Sequence, residues 1–482
     1  MPERSETAAQ SKQTNNRKRN WPILLVMATA YMAVVMNMQG IKALLPHIEA
    51  EFMISGTEAG LYTAFYFASA TLVAIYSGRI IDKIGPRKGL IIGAGSVGFL
   101  IVLQAASPLY GIILFLAFFA GFGFSIITPS ASKGVMMHIP PENRAFSMGL
   151  TQSGAGAGGI VGALLLPSLA HFLGWRLALG ISGGIAMIIA LFIWKFYNRA
   201  SATSLVNGGP KSGRPLADQP NRDGARRNGN VTENDADHEN NEHQENYENP
   251  GTPKKREHTG ESEGEPVNPQ PQGSLKEDLK KLFKSRYLIW LCLMGAVFGM
   301  SISSVATHLP LFFAHDMGYG SLLAGIGLGV FQTGGLIGHP VWGWFSDSVL
   351  NGNRRIGLML LGFLVAGLML ITGFIIVPFN LYVPVLGMGI AFLLGLTILG
   401  LPALYLAAIS ESVQDEFVGT ATGIALTFIR IANVIFPPIF GFFADITGHY
   451  GLSWIFLGFV VLVISISFSW FTRNMASYQQ IQ

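Results

Sequence analysis

Half of the 482 residues are hydrophobic and 12% are charged, a balance that leaves too little polar surface to cover a water-soluble globule of this size. Lys and Arg exceed Asp and Glu by only 4, and they lie between apolar runs rather than along a groove, which argues against a nucleic-acid partner. The single cysteine, Cys292, sits inside an apolar run and excludes disulfides and cysteine-based metal sites.

Residues 1–20 are polar and end in Arg17, Lys18 and Arg19. The apolar run that follows, Trp21 to Pro46, is longer than the roughly 7 to 15 residues of a signal-peptide core, and no A-x-A-like cleavage site follows it. It reads as a retained transmembrane helix. A bilayer core of about 30 Å needs roughly 20 apolar helical residues. Such runs lie near 21–45, 58–80, 89–107, 109–132, 145–172 and 176–197, and again near 287–313, 321–345, 356–378, 381–408, 418–443 and 452–471. The expected fold is an all-α membrane protein of about 12 transmembrane helices in two six-helix halves, 21–199 and 286–472. Between the halves, 200–273 is rich in Asn, Gly, Pro, Glu and Arg and poor in large apolar residues. It cannot bury enough surface to offset its ordering entropy, so a disordered linker is expected. In 274–285, Leu275, Leu279, Leu282 and Phe283 share one helical face and Ser274 and Glu277 have capping-box spacing, which predicts a short interfacial helix. Residues 473–482 form a tail.

Short-loop charge sets an orientation. Arg79, Lys83, Arg87 and Lys88 follow the second run, Arg144 the fourth, and Arg354 and Arg355 the eighth, whereas the segments after the third, seventh, ninth and eleventh carry no Lys or Arg. By the positive-inside rule both termini and the linker are cytoplasmic, in a plasma or inner membrane. The acidic loop holding Glu411, Asp415 and Glu416 is the exception, and acidic residues count little in that rule. Repetition relates the halves. Gly78-Arg-Ile-Ile-Asp82 recurs as Gly343-Trp-Phe-Ser-Asp347, each followed by a basic pair, and Gly149 and Gly174 match Gly423 and Gly448 at constant offset.

The segment GRIIDKIGPRK, with Gly78, Asp82, Lys83, Gly85, Arg87 and Lys88, resembles the G-x-x-x-D-[RK]-x-G-x-[RK]-[RK] signature of the major facilitator superfamily between its second and third helices. The resemblance extends to the two halves and the long central loop. It implies a secondary transporter working by alternating access. The motif Gly78, Asp82, Lys83, Gly85, Arg87 and Lys88, with its repeat at Gly343 and Asp347, is then a conformational latch in which Asp82 is set against the N-terminus of the eleventh helix, made in one arrangement of the halves and broken in the other; the alternative, that the charges only enforce topology, suffices for Lys83 and Lys88. One departure stands out: four residues before Gly121, where many proton-coupled exporters of the superfamily carry Arg, this chain has Ala117. The segment Pro129 to Arg176 resembles superfamily members that import organic or inorganic anions with a cation. Its glycines Gly154, Gly156, Gly158, Gly159 and Gly162 read as close-packing positions, with helix bending as the alternative.

An ionisable side chain at the bilayer centre costs on the order of 3 kcal/mol or more, so each needs a reason. Arg430 lies about 18 Å along its run at about 1.5 Å per residue, too deep to reach water easily. Thr427 and Asn433 lie one turn to either side, and a substrate-facing stripe is expected there. The alternative is a structural or carbonyl-bound Arg. Lys42 lies about 31 Å from Trp21, near the outer surface, where it either snorkels or lines the cavity. Asn37, Gln39, Gln152 and Gln332 are further polar candidates for the lining, and His308 is a candidate gate or proton site. Lys133 and His339 read as interfacial. No Asp or Glu lies near the centre of any run, so an anion is the favoured small-molecule substrate, with a proton or sodium ion as candidate coupling ion. Catalytic motifs, metal ligands and cofactor-binding loops are absent from the sequence, which argues against an enzyme; a monomer in the lipid bilayer is expected. An exporter of amphipathic compounds and a non-transporting receptor on the same fold are the competing readings.

Overall fold

The computed structural model describes residues 3–140, 144–205, 282, 285–414 and 417–473. The first half holds α1 (Glu3–Ala43), the short α2 (Leu45–Phe52), α3 (Gly56–Ile84), α4 (Pro86–Ala105), α5 (Tyr110–His138), α6 (Arg144–Leu173) and α7 (Trp175–Leu205). The second holds α8 (Arg286–His315), α9 (Ser321–Ser348), α10 (Arg354–Ile371), α11 (Pro384–Leu394), α12 (Leu401–Ser410), α13 (Val418–Thr447) and α14 (Gly451–Thr472). A π-helical turn, Gly395–Leu399, joins α11 to α12 as one span, and another, Thr372–Ile376, extends α10.

Among the described residues, eleven helices are long and apolar enough to cross a membrane, and α3 makes the twelfth across a 64° bend between Gly56–Ala74 and Tyr76–Ile84. No proline lies in α3. The Ser77 hydroxyl donates back to the Ala74 carbonyl at 2.9 Å, Thr71 donates to the Phe67 carbonyl at 2.7 Å, and Gly78 follows, a combination that loosens the helical ladder. Leu72, Phe115, Leu191, Trp194 and Val385 are exposed. Such a perimeter would be a liability in water and is the natural surface in lipid.

Two boundaries differ from expectation. The polar N-terminal stretch is helical from Glu3, continuous with the first span, because no Gly or Pro interrupts it before Pro22. The last helix of the first half continues through Leu205, beyond the expected start of the linker at Ala200, since Ala200-Ser-Ala-Thr-Ser-Leu205 contains no breaker. The rest of the expected linker and the expected interfacial helix lie outside the described residues, save Leu282 and Ser285, the latter the N-cap of α8.

Packing within the first half rests on small residues. A Cβ on Gly154, Gly158 or Gly162 of α6 would overlap the carbonyl of Ala28, Met32 or Met36 of α1, so the two backbones touch along three turns. The repeat is visible in three dimensions: Gly174 and Gly448 both end their helices with positive φ, +80° and +73°.

The halves meet asymmetrically. At the end carrying Glu49, Glu51, Asp316 and Asp445, hereafter the acidic end, Gly56 and Gly60 of α3 pack on Gly441 and Pro437 of α13, and Gly325 of α9 packs on Pro167 of α6. Contact continues inward through Leu164 on Gly329 and Gln332 on Gly159. At the opposite, basic end, a Cβ added to Gly78, Gly149, Gly343 or Gly423 would meet nothing within 4 Å. The molecule is shut at its acidic end and open at its basic end.

Candidate substrate site between the two halves

A cation from each half lies against α3. The Lys42 ammonium lies 6.0 Å from the centre of the Phe67 ring, and Nη1 of Arg430 donates to the Ala70 carbonyl at 3.3 Å. Lys42 is 2% exposed. It does not snorkel: α2 and the second half cover the end of α1, so the chain folds the ammonium inward instead of letting it reach bulk water. Among the described residues neither cation has a carboxylate partner, and only one N–H of Arg430 finds an acceptor.

Further polar atoms lie buried along the helices that contribute to this region. Gln39 Oε1, one turn from Lys42, Asn433 Oδ1, one turn from Arg430, Gln332 Nε2, Tyr66 Oη and Ser304 Oγ are buried with no protein partner. Buried polar groups are ordinarily hydrogen-bonded. Thr63 of α3 and Thr307 of α8 meet across the halves at 2.7 Å and are buried toward the closed end.

Several sequence candidates stand elsewhere. Asn37 is committed inside the first half: its amide donates to Ala33 O at 2.8 Å and Ser182 O at 3.4 Å, and its oxygen accepts from Ser182 Oγ at 2.9 Å. It ties α1 to α7, because its position on α1 turns it toward that helix rather than toward the second half. His308, the candidate proton site, has Nε2 on the Pro437 carbonyl at 2.9 Å and Nδ1 3.5 Å from the Tyr450 hydroxyl. Both nitrogens are engaged inside the second half, where the ring braces α13 at its proline pair. Gln152 is exposed in a small hollow lined by Tyr31, Ser132, Met148 and Thr151, apart from the two cations. Thr427 uses its hydroxyl on the Gly423 carbonyl at 2.8 Å.

The signature residues occupy the basic end. Asp82 is 72% exposed at its side chain and pairs at 2.9 Å with Lys133 of α5, within its own half, instead of facing the start of α13. Gly85 has φ +82° and lets the chain turn into Pro86, while Arg87 reaches the Trp194 carbonyl; Lys83 and Lys88 are exposed. In the second half, Asp347 pairs with Arg354, which also meets Glu411 at 3.2 Å. Sequence reasoning missed Lys133 as the partner of Asp82, although a Lys on the adjacent helix at the same end was a usable signal.

Two related helical halves that are sealed at one end and open at the other make the architecture of a membrane transporter. The sequence model of the Major Facilitator Superfamily matches residues 27–399, and the chain belongs to that superfamily. A probable sulfoacetate transporter, SauU, of Cupriavidus necator is 23% identical over 441 residues, covering 90% of each chain. The membrane sensor protein UhpC of Escherichia coli is 24% identical over 416 residues, 84% of this chain and 82% of that one. Among solved structures, a bacterial homolog of the human lysosomal transporter Spinster, inward-facing and occupied, superposes with a TM-score of 0.64 at 15% identity, over 94% of this chain and 96% of that one. This last likeness concerns the fold alone.

Proposed function

We propose that this protein is a secondary transporter that carries a small organic or inorganic anion by alternating access, with Lys42 and Arg430 as the counter-charge in the substrate site. The carrying observation is that each half sets one cation, Lys42 or Arg430, against α3 with no carboxylate beside either among the described residues. A buried charge left unpaired is costly, and an anion between the halves removes that cost when it binds. Gln39, Asn433 and Gln332 supply the uncharged contacts. The sulfoacetate named for one relative is an anion, which supports the same class.

Arg79, Lys83, Arg87 and Lys88 lie at the open end, so the positive-inside rule makes that end and both termini cytoplasmic in a cell membrane. The state described is then open to the cytoplasm. Asp82 and Asp347, with Gly78 and Gly343, form the latch of the opposite state, where the basic end closes. With His308 engaged on both nitrogens, a coupled proton would travel on the substrate's own acid group; sodium is the other candidate.

The test is uptake and counterflow in proteoliposomes with labelled mono- and dicarboxylates, sulfonates, sugars and amphipathic cations. Arg430→Lys keeps the charge but loses the planar fork and should raise the apparent KM, whereas Arg430→Gln and Lys42→Gln should nearly abolish transport while the protein stays monodisperse. Normal anion transport by the Gln variants, or transport of neutral or cationic solutes alone, overturns the reading. A receptor is the second reading, favoured by the sensor among the relatives. Saturable anion binding without flux would select it.

A further inference from the structure

α3 begins at the acidic end with a capping box. Glu58 N–H donates to Ser55 Oγ at 3.2 Å, and Ser55 N–H donates to Glu58 Oε2 at 2.8 Å. This leaves the N–H groups of Gly56 and Thr57 without a partner in their own half. Asp445, near the end of α13 in the other half, takes both, at 2.6 and 2.9 Å, and accepts the Thr57 hydroxyl as well. The carboxylate reaches them because Gly441 lies flat on Gly56, where a Cβ would overlap the Gly56 carbonyl. A second bond between the halves lies beside it. Glu49 of α2 meets His315 of α8 at 2.6 Å, and α2 is itself fastened to the first half, since Glu51 accepts from Arg176 Nη2 at 2.6 Å and Nε at 3.1 Å.

We propose that Asp445 is the clasp of the acidic end: its carboxylate caps α3 only while that end is shut, and its release is a required step before the end opens. The physical reason is differential contact. The first turn of α3 presents the positive end of the helix dipole and two N–H donors, and a carboxylate there forms charge-assisted hydrogen bonds that a separated pair of halves cannot make. A contact present in one state alone shifts the equilibrium by its whole free energy. α3 thereby carries a carboxylate contact at each extremity: Asp445 docked at its start, and its own Asp82 free of α13 at its finish. The Glu49 to His315 bond adds to the clasp; both contacts reach solvent and are screened by salt, and Asp445 contributes three hydrogen bonds between the halves where Glu49 contributes one.

The experiment uses the full-length chain in nanodiscs with Cys292→Ser as background. Two reporters are introduced singly: Thr63→Cys, buried between the halves near the shut end, and Gly149→Cys, facing open space at the basic end. Asp445→Asn should raise the labelling rate at position 63 and lower it at position 149, changing their ratio by roughly tenfold, as for loss of one charge-assisted hydrogen bond. Asp445→Glu, which keeps the charge, should recover part of the change. Thr57→Val removes one donor from the opposite half, tests the same contact without touching Asp445, and should move the ratio in the same direction by less. An unchanged ratio in both Asp445→Asn and Thr57→Val, or a ratio moved the other way, overturns the proposal even if thermal stability falls. The outcome does not depend on which solute is carried.

Discussion

At the turn after α8, Asp316 is 9% exposed and accepts the Tyr450 N–H at 2.7 Å. Burial pushes its carboxyl up to about 6, against the opposing pull of that hydrogen bond and of nearby His449 and His315. Between the ordinary aspartate value of about 3.9 and about 6, the folded protein keeps a proton that the unfolded chain has lost, so stability falls as pH rises through this window. Above it the penalty is complete; below it there is none. Asp316→Asn, which preserves an acceptor for Tyr450, should therefore raise the stability at pH 7 to 8, and with it the unfolding midpoint, by at most about 3 kcal/mol of free energy, and lose its advantage below about pH 4. Thermal unfolding in detergent across that range checks it, and an equal effect at all pH values would point to packing instead. Single residues also show what a sequence can disclose. Arg430 was legible because a guanidinium deep in an apolar run is anomalous wherever it points. Lys42 was ambiguous, since snorkelling depends on what covers the helix end, and here α2 and the second half cover it. Asp445 gave no signal at all: its partners are two backbone N–H groups, 389 and 388 residues away, and the hydroxyl of Thr57, which no local side-chain pattern marks.

Among the elements, the α1 and α6 pair is held by backbone contact at three successive glycines of α6. Gly158→Leu should displace α1 from α6 and abolish insertion or monodispersity, since the Met32 carbonyl has nowhere to retreat, whereas Gly149→Leu, facing open space, should leave folding intact. Expression with size-exclusion profiles separates the two, and similar profiles for both would show that the contact is not needed. The sequence carried this as a run of glycines, but could not assign faces: Gly154, Gly158 and Gly162 meet α1, while Gly156 and Gly159 lie 3.4 and 3.2 Å from α9 side chains as a Cβ would be placed. The spans themselves were legible from length and apolarity, with ends within a few residues. The bend in α3 was not, because it arises from hydroxyl back-bonding around Thr71 and Ser77 rather than from proline. The π-helical turn of Gly395–Leu399 was equally hidden; the Leu396 carbonyl in that turn accepts the Trp342 indole N–H at 2.9 Å.

For the whole molecule, shut at one end and open at the other, the unpaired Lys42 and Arg430 have an electrical meaning. A full elementary charge crossing the membrane field is worth about 2.3 kcal/mol per 100 mV, and a rearrangement that moves the boundary of the field past a charged site captures part of that. If Lys42 and Arg430 form the site and both are protonated, an empty carrier reorients with two positive charges in it, one holding a monoanion with a single positive charge, and one holding a dianion with none. If the site is as proposed, exchange of a dianion for itself should ignore an imposed potassium diffusion potential, while net flux, which must return the empty site, should respond to it. Tracer exchange and net uptake measured in the same valinomycin-treated liposomes give the comparison, and equal voltage sensitivity in both would mean that the two cations do not sense the field together. A small solute would then set, by its own valence, how strongly the resting membrane voltage drives the protein's cycle.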